Sequence, residues 1–125
     1  MWQKILLLCA AGSLGTLARY GLAGLVQRAA GVSFPWGTLA VNVSGSFAAG
    51  VLWSLFQERL PLHGETRIIV MVGFMGALTT FSAFMVETGE LVRAAEWSRA
   101  ALNLGLQNGL GLTALFLGLA LGRAV

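Results

Sequence analysis

IIVMVGFMGALTTFSAFMV, Ile68 to Val86, runs for 19 residues without a charge. About 20 apolar residues cross a hydrocarbon core of roughly 30 Å as a helix, so this stretch reads as a membrane span. Its middle is unusual for one. Gly73 and Gly76 are followed by three hydroxyls, on Thr79, Thr80 and Ser82, and by two phenylalanines, Phe81 and Phe84. Gly76 with the β-branched pair Thr79-Thr80 predicts a site where the helix breaks. A break at that depth is tolerated only where protein or water satisfies the freed backbone groups, and freed carbonyls can hold a cation. The competing reading is an unbroken helix whose threonines bond back to the preceding turn.

On either side of this stretch, Ala29 to Gln57 and Ala100 to Gly122 are also free of charge, and Ile5 to Val26 is interrupted only by Arg19. The chain is therefore read as an all-α integral membrane protein with four transmembrane helices. They form a single domain over residues 1–125, with spans at about 5–26, 36–56, 68–92 (broken near 76–80) and 100–122. Too little chain remains for a separate soluble domain. Composition agrees: 10% of the residues are charged, against about 25% in soluble domains, and mean hydropathy is +0.79. Trp2, Trp36, Trp53 and Trp97 each fall near a proposed boundary, where an amphipathic ring favours the headgroup layer. Pro35 precedes the second span, where no helical hydrogen bond is required of it, and Pro61 and His63 lie in the loop after that span. Lys4 and the apolar run behind it imitate a signal peptide. Without a clear cleavage site, and with Leu8 rather than a small residue before Cys9, the run reads as a retained span.

Four spans put both termini and the loop between spans two and three on one side. That side holds Lys4, Arg59, Arg67 and Arg123; the other holds Arg28, Arg93 and Arg99, with Arg19 undecided. Lys and Arg asymmetry in short loops sets topology, and a balanced count predicts insertion in both orientations. This points to an antiparallel, dual-topology homodimer. Other signals fixing a single orientation remain the alternative. The net charge of +3 comes from scattered basic residues with no cluster, which excludes a phosphate-tracking surface and hence nucleic acid as a partner.

Polar residues inside the spans form stripes. Thr38, Asn42 and Ser46 are each four apart in span two, and Asn103 and Gln107 repeat the pattern in span four. An amide at membrane depth is costly unless it meets a partner or water, so Asn42 is a functional candidate, with an interhelical hydrogen bond as the plain alternative. Phe81 and Phe84 share a helical face. An aromatic ring has a positive edge, so an edge turned toward a polar track favours an anion without holding it tightly. Arg19 is always charged and has no intramembrane acid beside it in sequence; it either biases a pathway toward anions or snorkels to the nearer surface. Small residues at four-residue spacing, Ser46 and Gly50, Gly105 and Gly109, Gly118 and Gly122, signal close helix packing.

Span interiors carry no His, Asp or Glu; Glu87 and Glu90 come at the end of the third span. The sequence therefore offers no acid/base pair, no metal-ligand cluster and no proton relay, and an enzyme is not expected.

The motifs GFMGALTTFSAF (residues 73–84), GTLAVN (37–42) and GTLARY (15–20) together resemble the Fluc (CrcB) family of fluoride channels over nearly the whole chain. The resemblance implies a dual-topology homodimer with two fluoride pores, located in the plasma membrane, that lets fluoride leave the cell passively and so protects it. It implies that Asn42, Phe81, Phe84 and Thr38 line the pore, with Asn103 and Gln107 standing where members have Tyr and Ser. It implies a structural sodium ion at the dimer centre, held by the backbone carbonyls of Gly76 and Thr79 from both protomers, and it matches Arg19 to the family's first-span arginine. Ala77 stands where many members have a second glycine. Two rival readings stand beside it: a small multidrug-resistance-like exporter, which would need a first-span carboxylate where this chain has Arg19, and a membrane scaffold, in which the polar stripes are packing alone.

Overall fold

The computed structural model describes residues 1–58 and 64–125; Arg59, Pro61 and His63 lie outside the described residues. Four helical spans are long and apolar enough to cross a membrane: Trp2–Ala30, Trp36–Gln57, Gly64–Arg93 and Trp97–Ala124. Among the described residues there is no strand. We number the helices α1 (Trp2–Ala30), α2 (Trp36–Glu58), α3 (Gly64–Ile68), α4 (Gly76–Leu78), α5 (Phe81–Arg93) and α6 (Trp97–Ala124). A π-helical stretch, Ile69–Met75, joins α3 to α4. The 29 residues of α1 span about 43 Å at 1.5 Å each, so its ends reach beyond the hydrocarbon layer.

The turns have local causes. Gly31 ends α1 with φ 89°, a conformation that favours glycine, and one side chain ties the connection to α2. Gln27 donates from Nε2 to the carbonyls of Gly31 (2.5 Å) and Phe34 (2.8 Å), and its Oε1 accepts from the Gly37 N–H (2.9 Å). Pro35 then sits just ahead of α2, where its missing N–H costs nothing. Between α5 and α6 the chain reverses through Ala95 at φ 58°, and Glu96 forms an ion pair with Arg99 (2.7 Å).

Helices α2 and α6 run parallel and make the closest pairing in the protomer, because glycines remove the side chains between them. A Cβ on Gly118 would strike the Phe47 carbonyl, one on Gly50 the Leu115 carbonyl, and one on Gly122 would lie 2.7 Å from Ser54 Cβ. The Ser54 hydroxyl donates to the Leu119 carbonyl (3.0 Å) across this seam. Gly105 and Gly109 behave otherwise: nothing lies within 4 Å of a Cβ at either, so the close packing expected of that pair is not made within the protomer. Helix α1 runs beside the first half of span three, with Gly15 under the Phe74 carbonyl and a Gly73 Cβ position 3.0 Å from Ala11 Cβ.

Span three is not uniform. Within the stretch 76–80 that the sequence singles out, Gly76 is itself helical (φ −63°, ψ −33°). The non-helical residues are Thr79 (φ −84°, ψ 159°) and Thr80 (φ −150°, ψ 120°), and α5 starts anew with the Thr80 hydroxyl accepting from the Ala83 N–H (3.2 Å). A small core collects around these residues: Val41, Met75, Leu78, Phe84 and, fully enclosed, Asn103. Outward faces are apolar, with Leu14, Leu17, Val72, Leu112 and Phe116 exposed, as a surface bathed in lipid requires.

Candidate functional site

Asn42, two turns into α2, faces the two extended threonines. Its Oδ1 accepts from the Thr80 N–H (2.8 Å), and its Nδ2 donates to the Thr80 carbonyl (2.9 Å) and to Gln107 Oε1 (3.0 Å). This two-way grip on the backbone of one residue, across the peptides before and after it, is why the helix can stop here. In a continuous α-helix the Thr80 N–H would bond the Gly76 carbonyl and the Ala83 N–H the Thr79 carbonyl. Asn42 takes the first donor and the Thr80 hydroxyl the second, which releases both carbonyls from the helical ladder. The Thr79 hydroxyl bonds back to the Met75 carbonyl (3.1 Å), and its methyl group sits against Gly45, where any Cβ would collide with it. Gly45 is thus part of the site, and its place three residues after Asn42 was the available signal.

Two further pairs continue the polar line toward the α5–α6 end. Thr38, one turn before Asn42, donates its hydroxyl to Glu87 Oε1 (2.5 Å). Thr88 donates to the Phe84 carbonyl (2.7 Å) and accepts from Asn103 Nδ2 (2.9 Å). The structure therefore brings Thr38, Asn42, Asn103 and Gln107 together between α2, α5 and α6. Glu87 and Thr88 complete the set, and sequence reasoning placed neither there. The signal was their position one turn beyond Phe84, on the same stripe. Three buried polar atoms have no partner among the described residues: Glu87 Oε2, Asn103 Oδ1 and Gln107 Nε2. Buried polar atoms are normally paired, so three along one line are unusual.

The phenylalanines stand edge to face, with ring centroids 5.8 Å apart at 77°. They are placed differently. Phe84 is 4% exposed and Phe81 is 72% exposed, at mid-span. Both border a groove of about 430 Å³ that also meets Asn42, Gly76, Thr79 and Gln107. Thr80 separates this groove from a second crevice, of about 730 Å³, that is walled by α1, α2 and α5 and holds Arg19, Gln27, Thr38 and Glu87. Arg19 is half-buried there, so the structure puts it beside the polar line but not in the groove with the phenyl rings. Ser44 and Asn108 bond the carbonyls of Ala40 (2.7 Å) and Leu104 (2.7 Å) within their own helices; Ser44 is exposed, and Asn108 borders the groove beside Gln107.

Chemically, the line offers amides, hydroxyls and ring edges, with one carboxylate and one guanidinium at its α1 side. It can exchange weak polar contacts with a small ion. Among the described residues, no three His, Cys, Asp or Glu side chains gather to hold a metal ion.

The family model described as CrcB-like protein, Camphor Resistance (CrcB), matches residues 6–119. The chain is 56% identical over 125 residues to a protein of Desulforapulum autotrophicum named fluoride-specific ion channel FluC, covering 100% of both chains. It is 50% identical, again over 100% of both, to a protein of that name from Nitrosococcus oceani. A third, from Nitratidesulfovibrio vulgaris (strain Miyazaki F), is 54% identical over 98% of this chain and 99% of its own.

Proposed function

The chain belongs to the CrcB family, and on that premise we propose that it is a fluoride-specific channel through which fluoride leaves the cell down its electrochemical gradient. The observation that carries the reading is the polar line through Thr38, Asn42, Asn103 and Gln107, with the Glu87 carboxyl group on Thr38 and the Phe81–Phe84 pair bordering it at mid-membrane. Fluoride is small and strongly hydrated. A pore for it must replace lost water with donors and yet release the ion, which weak repeated contacts achieve better than one deep site. Ring edges add a positive lining that carries no net charge. Arg19, in the adjoining crevice, biases the approach toward anions. The protein is a multi-pass membrane channel and not an enzyme, and we place it in the plasma membrane, where an exporter has to act.

The working unit in this reading is an antiparallel homodimer with two pores. Its support is physical: a groove lined by Asn42, Thr79 and Gln107 opens sideways on the protomer at membrane depth, and lipid cannot satisfy such groups. A second copy covers it. The third helix, broken at Thr79 and Thr80, serves this assembly. The carbonyls of Gly76 and Thr79, released from the ladder, fit a sodium ion and would hold it together with those of the other protomer. A hard cation there would supply a fixed positive charge that ties the two protomers.

Expression in a bacterium stripped of its own fluoride exporters tests the role. Cells carrying the protein in their membrane should grow in fluoride at concentrations that arrest the parent strain; equal sensitivity, with the protein present in the membrane, would count against it.

A further inference from the structure

Gly15, Gly50 and Gly118 each lie against a backbone carbonyl of a neighbouring element, which is ordinary close packing of membrane helices. Gly45 differs. It is buried, and a single methyl group, Thr79 Cγ2, occupies the place where its Cβ would stand. The next nearest atoms, Leu78 Cδ2 and Thr79 Cβ, are 3.8 Å from that position. The space at Gly45 is therefore matched to one methyl group of one residue.

That methyl group is not free to turn aside. Thr79 donates from its hydroxyl to the Met75 carbonyl (3.1 Å), and its N–H bonds the same carbonyl (3.1 Å). Hydroxyl and methyl share one Cβ, and χ1 of a β-branched side chain is stiff, so the hydroxyl bond also sets the direction of the methyl. Rotation that cleared a Cβ at position 45 would break the bond to Met75. The chain leaves the helix at this residue, with ψ 159° at Thr79 and an extended Thr80 after it. Asn42, three residues before Gly45 and so on the same face of α2, holds the Thr80 N–H and carbonyl. The turn is thus held at its start by Gly45 and at its end by Asn42.

We propose that Gly45 is a positioning residue of the channel: the space left by its missing side chain seats the Thr79 methyl and fixes the angle at which span three resumes as α5. The functional half of the proposal rests on the fluoride-channel reading. Gly45 and Thr79 border the same groove as Phe81 and Phe84, and α5 begins two residues after Thr79, so a displacement of Thr79 passes directly to the two rings. A working site must hold its groups to within about 0.5 Å. An alanine at 45 demands more, because carbon atoms in contact stay about 3.5–4 Å apart and the methyl stands where the new Cβ would be.

The test exchanges the two halves of the contact. Thr79→Ser removes the methyl and keeps the hydroxyl that bonds Met75. Gly45→Ala should lower fluoride efflux from liposomes about tenfold per folded protein, and the double variant Gly45→Ala/Thr79→Ser should recover to within about twofold of the unaltered protein, the new methyl taking the space of the old. Gly118→Ala, whose Cβ meets the Phe47 carbonyl on the α2–α6 seam, is the control that Thr79→Ser should not relieve. The second readout is independent of flux. In detergent-solubilised protein carrying 15N only in threonine, Gly45→Ala should shift the Thr79 and Thr80 amides and hasten hydrogen exchange at Thr80, leaving Thr66 and Thr113 in place. A glycine that served stability alone would loosen all of these amides together. Unaltered efflux in folded Gly45→Ala, a double variant as defective as Gly45→Ala, or equal relief of Gly118→Ala by Thr79→Ser overturns the proposal. If Gly45→Ala fails to fold, a folded and conducting double variant sustains the proposal and a second failure overturns it. Unaltered protein that passes no fluoride overturns the channel reading instead, and the threonine amides still decide whether Gly45 holds the turn.

Discussion

The side chains at the site divide by what they touch. Asn42 bonds the Thr80 peptide from both sides, Gln107 lies against it, and the buried ring of Phe84 closes the wall. Phe84→Ile keeps an apolar group of smaller area and removes the ring edge. Fluoride efflux should fall about tenfold, the order of 1.4 kcal/mol expected of one aromatic contact, with helical content by circular dichroism unchanged. Unaltered efflux would reduce the Phe81–Phe84 pair to packing. At this scale Asn42, Gln107 and the phenylalanines were legible in the sequence because a lone amide at mid-span demands a partner and aromatics at three-residue spacing share a face. Glu87 and Thr88 were not. The sequence carries span three on to about residue 92 but shows Glu87 and Glu90 only as its charged end; α5 turns Glu87 and Thr88 inward against Thr38 and Asn103. Gly45 was missed for a different reason, since a glycine's value lies in the neighbour it admits, here the Thr79 methyl group.

Among the elements, the four spans were readable from charge-free length alone, because water-facing and lipid-facing chain differ so sharply in composition. For span three the sequence pointed to the stretch 76–80, on Gly76 together with Thr79 and Thr80; the non-helical residues there are Thr79 and Thr80, while Gly76 is helical. The cause is tertiary: Asn42 on α2 accepts from the Thr80 N–H, which would otherwise bond within its helix, and donates to the Thr80 carbonyl. The glycine pairs were readable only in part. Those at 118 and 122 meet α2, whereas those at 105 and 109 meet nothing within the protomer. Gly118→Val would force two methyl groups against the Phe47 carbonyl and should destabilise the α2–α6 pairing by about 1–3 kcal/mol, measured as a lowered melting temperature in detergent. A melting temperature equal to that of the unaltered protein would show that the seam gives way freely. The released carbonyls of Gly76 and Thr79 carry a second expectation at this scale. Replacing sodium with a large organic cation should weaken protomer association or slow fluoride efflux, and indifference on both counts would remove sodium from the account.

For the molecule as a whole, the informative quantity is the balance of its basic residues: four on the side of the termini against three on the other, with Arg19 between. A C-terminal reporter should therefore give signal from both faces of the membrane, and three added C-terminal lysines should shift it toward the cytoplasmic face. A one-sided reporter in the unaltered chain would exclude dual topology and, with it, the antiparallel dimer proposed to close the Asn42 groove. The central claim is that this chain conducts fluoride, and a fluoride electrode outside liposomes reads it most directly. Vesicles loaded with potassium fluoride and carrying the purified protein should release their fluoride once valinomycin balances the charge, while protein-free vesicles retain theirs. Protein-bearing vesicles that hold their fluoride as tightly as empty ones would contradict the account.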